Sequence, residues 1–197
     1  MVDGIILAGG FSSRVGKNKM TLKFLNKPLL YHTVKSMVNV CENVIVVTGH
    51  YQDDYKKFLK EFTNIKIVHN EKYEQGMFSS VLKGIDNTKN DIFLIPGDYP
   101  LVKEFTYKLI LQNNGEIRVP TFNGRRGHPI FISKELLPLL KKEGLSSNLK
   151  VFRDKFNVNY INVDDEGILF DIDSLSDYEK LLKNHERNDW FENITIL

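Results

Sequence analysis

Across 197 residues the sequence has one cysteine, Cys41, one tryptophan, Trp190, and six prolines. A single thiol excludes an internal disulfide and any zinc site built on several cysteines, which fits a reducing compartment. No apolar run approaches the ~20 residues of a membrane-spanning helix. The opening MVDGIILAGG puts Asp3 and Gly4 where a secretory leader would carry cations and a longer apolar core. These absences predict a soluble, cytoplasmic protein. An excess of one charge is lacking too: 27 Lys and Arg stand against 25 Asp and Glu, a net charge of +2. No bulk field therefore points to nucleic acid or to a membrane as partner. Internal repeats, low-complexity runs and linkers are also missing, so the chain reads as one domain over residues 1–184 with a tail at 185–197, whose Trp190 and Phe191 are expected to dock on the body.

What the chain does contain is an alternation. Four short apolar runs, Gly4–Ala8, Val44–Val47, Ile65–Val68 and Ile92–Ile95, have the length and β-branched content of buried parallel strands. Between them lie helical stripes: Leu30, Val34, Met37 and Val38 after Pro28, a residue suited to the first helical position; Tyr55, Phe58, Leu59 and Phe62; and Phe78, Val81, Leu82 and Ile85. The pattern predicts a three-layer α/β fold with a mostly parallel sheet, whose ligands bind at the carboxyl ends of the strands. Near residues 117–132 the alternation gives way to a small β-hairpin insertion, with strands at Ile117–Thr121 and Pro129–Ile132 around an Asn123-Gly124 turn. Helices over 134–142 and 148–155, a strand over 158–163 and a last helix over 176–184, capped by Ser174 or Ser176, complete the expectation.

The basic residues are concentrated at the start. Residues 1–30 hold Arg14, Lys17, Lys19, Lys23 and Lys27 against Asp3 alone, around the loop LAGGFSSRVGKNK that runs from Leu7 to Lys19. A Walker loop needs a glycine five positions before Gly16 and a hydroxyl after Lys17, where this chain has Phe11 and Asn18. A dinucleotide fingerprint needs G-x-G-x-x-G, and Gly9-Gly10 is not followed by a glycine until Gly16. There remains a loop after a first buried strand, with small residues that admit phosphate oxygens to the backbone N–H groups and with cations that can neutralise a triphosphate. A solvated Gly/Ser loop would have the same composition, and this segment alone does not separate the two.

Other segments do. The loop, together with GMFSSV (Gly76–Val81), PGDYPLV (Pro96–Val102), RGHPIFIS (Arg126–Ser133) and DIDSLSDY (Asp171–Tyr178), resembles in order and spacing the nucleoside-triphosphate transferases of molybdenum-cofactor dinucleotide synthesis. The cytidylyltransferase branch is the most similar, and the guanylyl branch is related. The resemblance implies a Rossmann-like nucleotidyltransferase fold and transfer of a nucleotidyl group from CTP or GTP to the phosphate of molybdopterin, with Mg²⁺ as cofactor and pyrophosphate as product. It assigns Leu7, Ala8, Gly9, Gly10, Ser12, Arg14, Lys19, Gly76, Ser79 and Ser80 to the nucleotide. Arg14, Lys19 and Asp98 are implied in catalysis, Asp98 with Asp173 or Asp171 in holding metal, and Arg126, Gly127 and His128 in binding the acceptor. A contact with a molybdoenzyme or maturation factor is also implied. The physical reading agrees for Asp98, which follows a buried run and so stands at the ligand edge of the sheet, where a carboxylate suits a hard cation. Two departures bear on the substrate. Gly10 gives LAGG, as in the guanylyl branch, where the cytidylyl branch has LAAG, and Lys142–Asp154 lacks the cytidylyl branch's GDxGAR-like stretch. The same chemistry on a sugar 1-phosphate, and a regulator that binds nucleotide without turnover, are the alternatives.

Overall fold

The computed structural model describes residues 1–10, 18–145 and 147–194, with the backbone alone from 186 onward. Strand β1 (Val2–Ala8) is followed by a short hairpin, β2 (Lys23–Phe24) and β3 (Lys27–Pro28), then α1 (Leu29–Val38), β4 (Val44–Thr48), α2 (Gln52–Leu59) and β5 (Ile65–His69). Next come α3 (Met77–Ile85), β6 (Asp91–Pro96), α4 (Glu104–Leu111), β7 (Ile117–Phe122), β8 (Arg125–Arg126) and β9 (Ile130–Ile132). The chain continues through α5 (Leu137–Lys141), α6 (Leu149–Arg153), β10 (Val158–Asn162) and α7 (Leu175–Ile194).

The main sheet runs β10-β7-β9-β6-β1-β4-β5, with β8 pairing β7. β1 pairs in parallel with β4 on one side and β6 on the other. The order reverses there: the chain steps from β1 outward through β4 to β5, then returns to place β6 on β1's opposite flank. This switch point opens a crevice at the carboxyl ends of β1 and β6, the usual ligand site of such sheets. Alternation along β1 sends Ile5 and Leu7 to one face and Ile6 and Ala8 to the other. Helices α1, α2 and α4 cover the Ile6 face, and α3, α5 and α6 the Ile5 face, giving the expected three layers. Each large apolar side chain so buried contributes about 1.5–3 kcal/mol. Gly4 has a packing reason: a Cβ there would lie 2.0 Å from Met37 Sδ, so its bare backbone lets α1 sit close on the sheet.

Several local expectations change. Pro28 is the extended residue before α1, and the helix begins at Leu29. Helix α4 had no counterpart in the sequence reading. The hairpin turns at Asn123 and Gly124, both with positive φ (49° and 74°), as a two-residue turn requires. Its returning strand is interrupted, however. β8 pairs antiparallel with the end of β7, the chain leaves the ladder at Gly127–Pro129, and β9 re-enters between β7 and β6, antiparallel to both. Of the two candidate caps for the last helix, Ser174 is the one used: its Oγ accepts from Asp177 N at 3.2 Å, and Asp177 Oδ2 accepts in return from Ser174 N at 3.0 Å. Helix α7 runs on to Ile194, past the expected end of the body, while the side chains of Trp190 and Phe191 lie outside the described residues.

Candidate active site

Gly97 N donates to Leu7 O at 2.9 Å, and Thr33 Oγ1 donates to Gly97 O at 2.9 Å, so the turn after β6 is tied to both β1 and α1. That turn presents Asp98, which is 8% exposed, into the crevice. Its Oδ2 accepts from Lys19 Nζ at 2.5 Å, while its buried Oδ1 has no hydrogen-bond partner among the described residues. Lys19 Nζ also donates to Asp173 Oδ1 at 3.2 Å. Burial draws the Lys19 ammonium down, but the carboxylates of Asp98 and Asp173 outweigh it and hold the group above its ordinary value. For Asp171, burial pushes the carboxyl up, and the charges of Asp173 and Asp98 push the same way. The Tyr99 phenol is raised by burial and then by the same three carboxylates.

The second carboxylate arrives on a strap, residues 163–173. Asp165, 1% exposed, anchors its start: Oδ2 accepts from Lys103 N at 2.9 Å and Thr106 Oγ1 at 2.5 Å, and Oδ1 from Gly167 N at 3.0 Å. Further along, Ile168 O accepts from His128 N at 3.0 Å, and Ile172 N donates to Asp98 O at 3.1 Å. Ile172 and Leu181 then pack with Phe24 and Leu29, so α7 fastens the strap to the hairpin that follows Lys19. Residues distant in sequence are thereby held at one point.

The opposite side of the crevice is built from β1, β4, β5 and α3. Gly9 and Gly49 pass so closely that a Cβ on Gly49 would lie 2.5 Å from Gly9 O. Gly76, with φ +96°, breaks into α3 and leaves the first helical N–H groups facing outward. Ser79 and Ser80, each 4% exposed, are held by Asn70, whose Nδ2 donates to Ser79 Oγ at 2.8 Å and Ser80 Oγ at 3.0 Å. Ser79 Oγ lies 2.7 Å from Gly76 O and 2.8 Å from Lys72 O and shares its one proton between these two acceptors, so its hydroxyl serves the turn before α3. Ser80 Oγ lies 3.1 Å from where a Cβ on Gly9 would stand and faces the loop's start. Sequence reasoning missed Asn70, although its place after β5 at the carboxyl edge could have drawn attention to it. Ser12 and Arg14 lie outside the described residues.

The expected acceptor triplet divides. Arg126 is exposed, its guanidinium 4.5 Å from the centre of the Tyr160 ring. Gly127 has a packing reason, because a Cβ would lie 2.3 Å from Ile168 O. His128 sets its ring edge-on to Tyr99 at 4.8 Å, and burial pulls its imidazole down to about 4, so it is neutral at physiological pH. Among the described residues, no three His, Cys, Asp or Glu side chains form a metal cage, and no helix is long and apolar enough to cross a membrane.

Comparison with known proteins identifies the family. The family description "MobA-like NTP transferase domain" matches residues 4–155. The "Molybdenum cofactor cytidylyltransferase" of Escherichia coli (strain K12) is 32% identical over 90% of this chain and 93% of its own length. A "Probable molybdenum cofactor guanylyltransferase" of Bacillus cereus (strain G9842) is 25% identical over 82% of this chain and 84% of its own. The crystal structure of Rv0371c from Mycobacterium tuberculosis H37Rv superposes with a TM-score of 0.80 at 23% identity over 92% of this chain and 97% of that one. In its complex with manganese the TM-score is 0.71 at 20% identity, over 92% and 98% of the two chains. With the family match running through β1, the switch point and β6, the chain is a nucleotidyltransferase and belongs to the MobA-like NTP transferase family.

Proposed function

We propose that the protein transfers the cytidylyl group of CTP to the terminal phosphate of molybdopterin. An oxygen of that phosphate attacks the α-phosphorus, a new P–O bond forms, and the bond to the β-phosphate oxygen breaks to release pyrophosphate. The observation that carries the reading is Asp98, a buried carboxylate at the switch point with one oxygen on Lys19 and the other without a partner. A carboxylate with an open oxygen, faced by Asp173, suits a hard divalent cation that takes one or two protein oxygens and completes its shell with phosphate and water. Mg²⁺ held by Asp98 and Asp173 would supply charge neutralisation to the triphosphate. Asp173 is the first choice for the second ligand by the family's pattern, and Asp171, set in the same acidic neighbourhood, is the alternative.

The remaining work falls to the chain itself. Lys19 neutralises the leaving pyrophosphate, together with Arg14. Leu7 to Gly10 bring backbone close to phosphate, and Gly76 with Ser80 faces the nucleoside. Arg126 attracts the acceptor's phosphate, and the neutral His128 with Tyr99 forms the aromatic wall beside it. A GTP reading is favoured by one observation: residue 10 is glycine, as in the guanylyl branch, and the missing methyl leaves more room for a purine. Incubation with Mg²⁺, molybdopterin and each nucleoside triphosphate in turn, with products identified by mass, decides between them. Pyrophosphate appearing only with a sugar 1-phosphate would replace the acceptor, and tight nucleotide binding without pyrophosphate release would make the chain a regulator.

A further inference from the structure

Asn18, the residue before Lys19, is only 7% exposed. Asparagine is mostly a surface residue, and here both ends of its carboxamide are engaged. Oδ1 accepts from the Tyr55 hydroxyl at 3.1 Å and from Met20 N at 3.2 Å, while Nδ2 donates to Asp54 Oδ2 at 3.0 Å. Its main-chain oxygen accepts from Thr21 N at 3.1 Å and Thr21 Oγ1 at 2.8 Å. The amide has one sensible orientation, because two donors face its oxygen and a carboxylate faces its nitrogen. Tyr55 is fully buried in the core beneath α2 and gives the amide a fixed mooring.

Helix α2 lies on the β4–β5 side of the switch point, and Asp98 with Asp173 on the other. The main chain at residue 18 is fastened to the first side, and the very next side chain reaches across to the second. We infer that Asn18 is the positioning residue for Lys19: its link to Tyr55 and Asp54 fixes where the Lys19 ammonium meets the phosphates. The inference rests on the reading that Lys19 acts on a nucleoside triphosphate. Aspartate at this position would keep the shape but set two carboxylates against each other, because it has no N–H to offer Asp54.

The test is an exchange of partners in the full chain: Asn18→Asp alone, then Asn18→Asp with Asp54→Asn, which gives every donor an acceptor again. Melting temperature, pyrophosphate release and affinity for CTP and GTP are measured in each. Displacing a reacting group by about 1 Å can cost on the order of 100-fold, so Asn18→Asp should lose about 10- to 100-fold in kcat. The exchanged pair should recover to within about threefold of the wild type. A merely structural role would move melting and leave this reciprocal recovery of kcat absent. Asn18→Asp turning over like the wild type, or an exchanged pair that recovers melting but not kcat, would overturn the inference. Should the wild type bind nucleotide without releasing pyrophosphate, the functional reading fails alone. Affinity lowered by Asn18→Asp and regained on exchange then upholds the positioning role, and unchanged affinity overturns it. A wild type that binds neither CTP nor GTP overturns both.

Discussion

Replacing Lys19 by methionine keeps the length of the side chain and removes its charge from between Asp98 and Asp173. Removing one partner of a buried ion pair costs about 3–5 kcal/mol, because the remaining charge is left uncompensated. Here the Asp98 side chain is 11% exposed and that of Asp173 50%, so only the Asp98 contribution keeps its full weight and the lower end, ~3 kcal/mol, applies. At roughly 2–4 °C per kcal/mol for a chain of this size, the metal-free variant should melt about 6–12 °C below the wild type. Divalent metal should then reverse most of the loss. With Mn²⁺ at about 100 times its dissociation constant, binding to the folded state returns ~2.7 kcal/mol. Wild type, whose ammonium already neutralises part of the charge on the same two carboxylates, should gain less. The assay is a thermal melt in EDTA and across an Mn²⁺ titration, with pyrophosphate release followed in parallel and expected to fall on the order of 10³-fold. A variant that melts with the wild type in EDTA, or whose deficit Mn²⁺ leaves unchanged, would refute the assignment of Asp98 and Asp173 as a cation site.

Other perturbations test the rest of the crevice. Gly10→Ala should shift the CTP-to-GTP ratio of kcat/KM toward CTP by about tenfold. Equal effects on both nucleotides would separate Gly10 from base selection. Gly127→Ala forces a Cβ against Ile168 O and should cost about 1–3 kcal/mol in denaturant unfolding, whereas Arg126→Ala should leave stability within about 0.5 kcal/mol and raise the acceptor KM. The His128 ring, held near 4 when folded, binds its proton less readily than it does in the unfolded chain. Its contribution is therefore complete above about pH 6.5 and is lost as pH falls toward 4, by up to roughly 3 kcal/mol. His128→Phe should flatten the pH dependence of melting across that window, and an unchanged slope would place the effect on another group.

The β-branched runs made β1, β4, β5 and β6 legible: β4 and the centres of β1 and β6 are buried on both faces and carry a near-continuous apolar signature, while the edge strand β5 keeps its isoleucines and valine around an exposed Lys66. Helix α4 escaped because its buried positions include Thr106 while Phe105 is exposed, which blurs the stripe. Asp98 could be placed from its position after a buried run. The pairing of Lys19 with Asp98 and Asp173 could not, since those contacts span 79 and 154 residues and no local pattern encodes them. The family resemblance brought those residues together, but it left their local reasons unstated. Gly127 is there because the strap passes against it, and Ser79 spends its hydroxyl on the turn before α3. Asn18 and Asp165 gave no signal at all, because an isolated buried polar residue follows no period.

The strap has a consequence for how the protein comes into being. The family match ends at residue 155, and β10, Asp165, Asp173 and α7 all follow it. A ribosome adding about 5–20 residues per second needs roughly 4–15 s to pass from Asp98 to Asp173. Throughout that interval the growing chain carries Lys19 and Asp98 without Asp173. The contact of Lys19 with Asp173 therefore forms only after the strap has been made. A chain stopped before the strap retains Lys19 and Asp98 but lacks the segment that brings the second carboxylate to them.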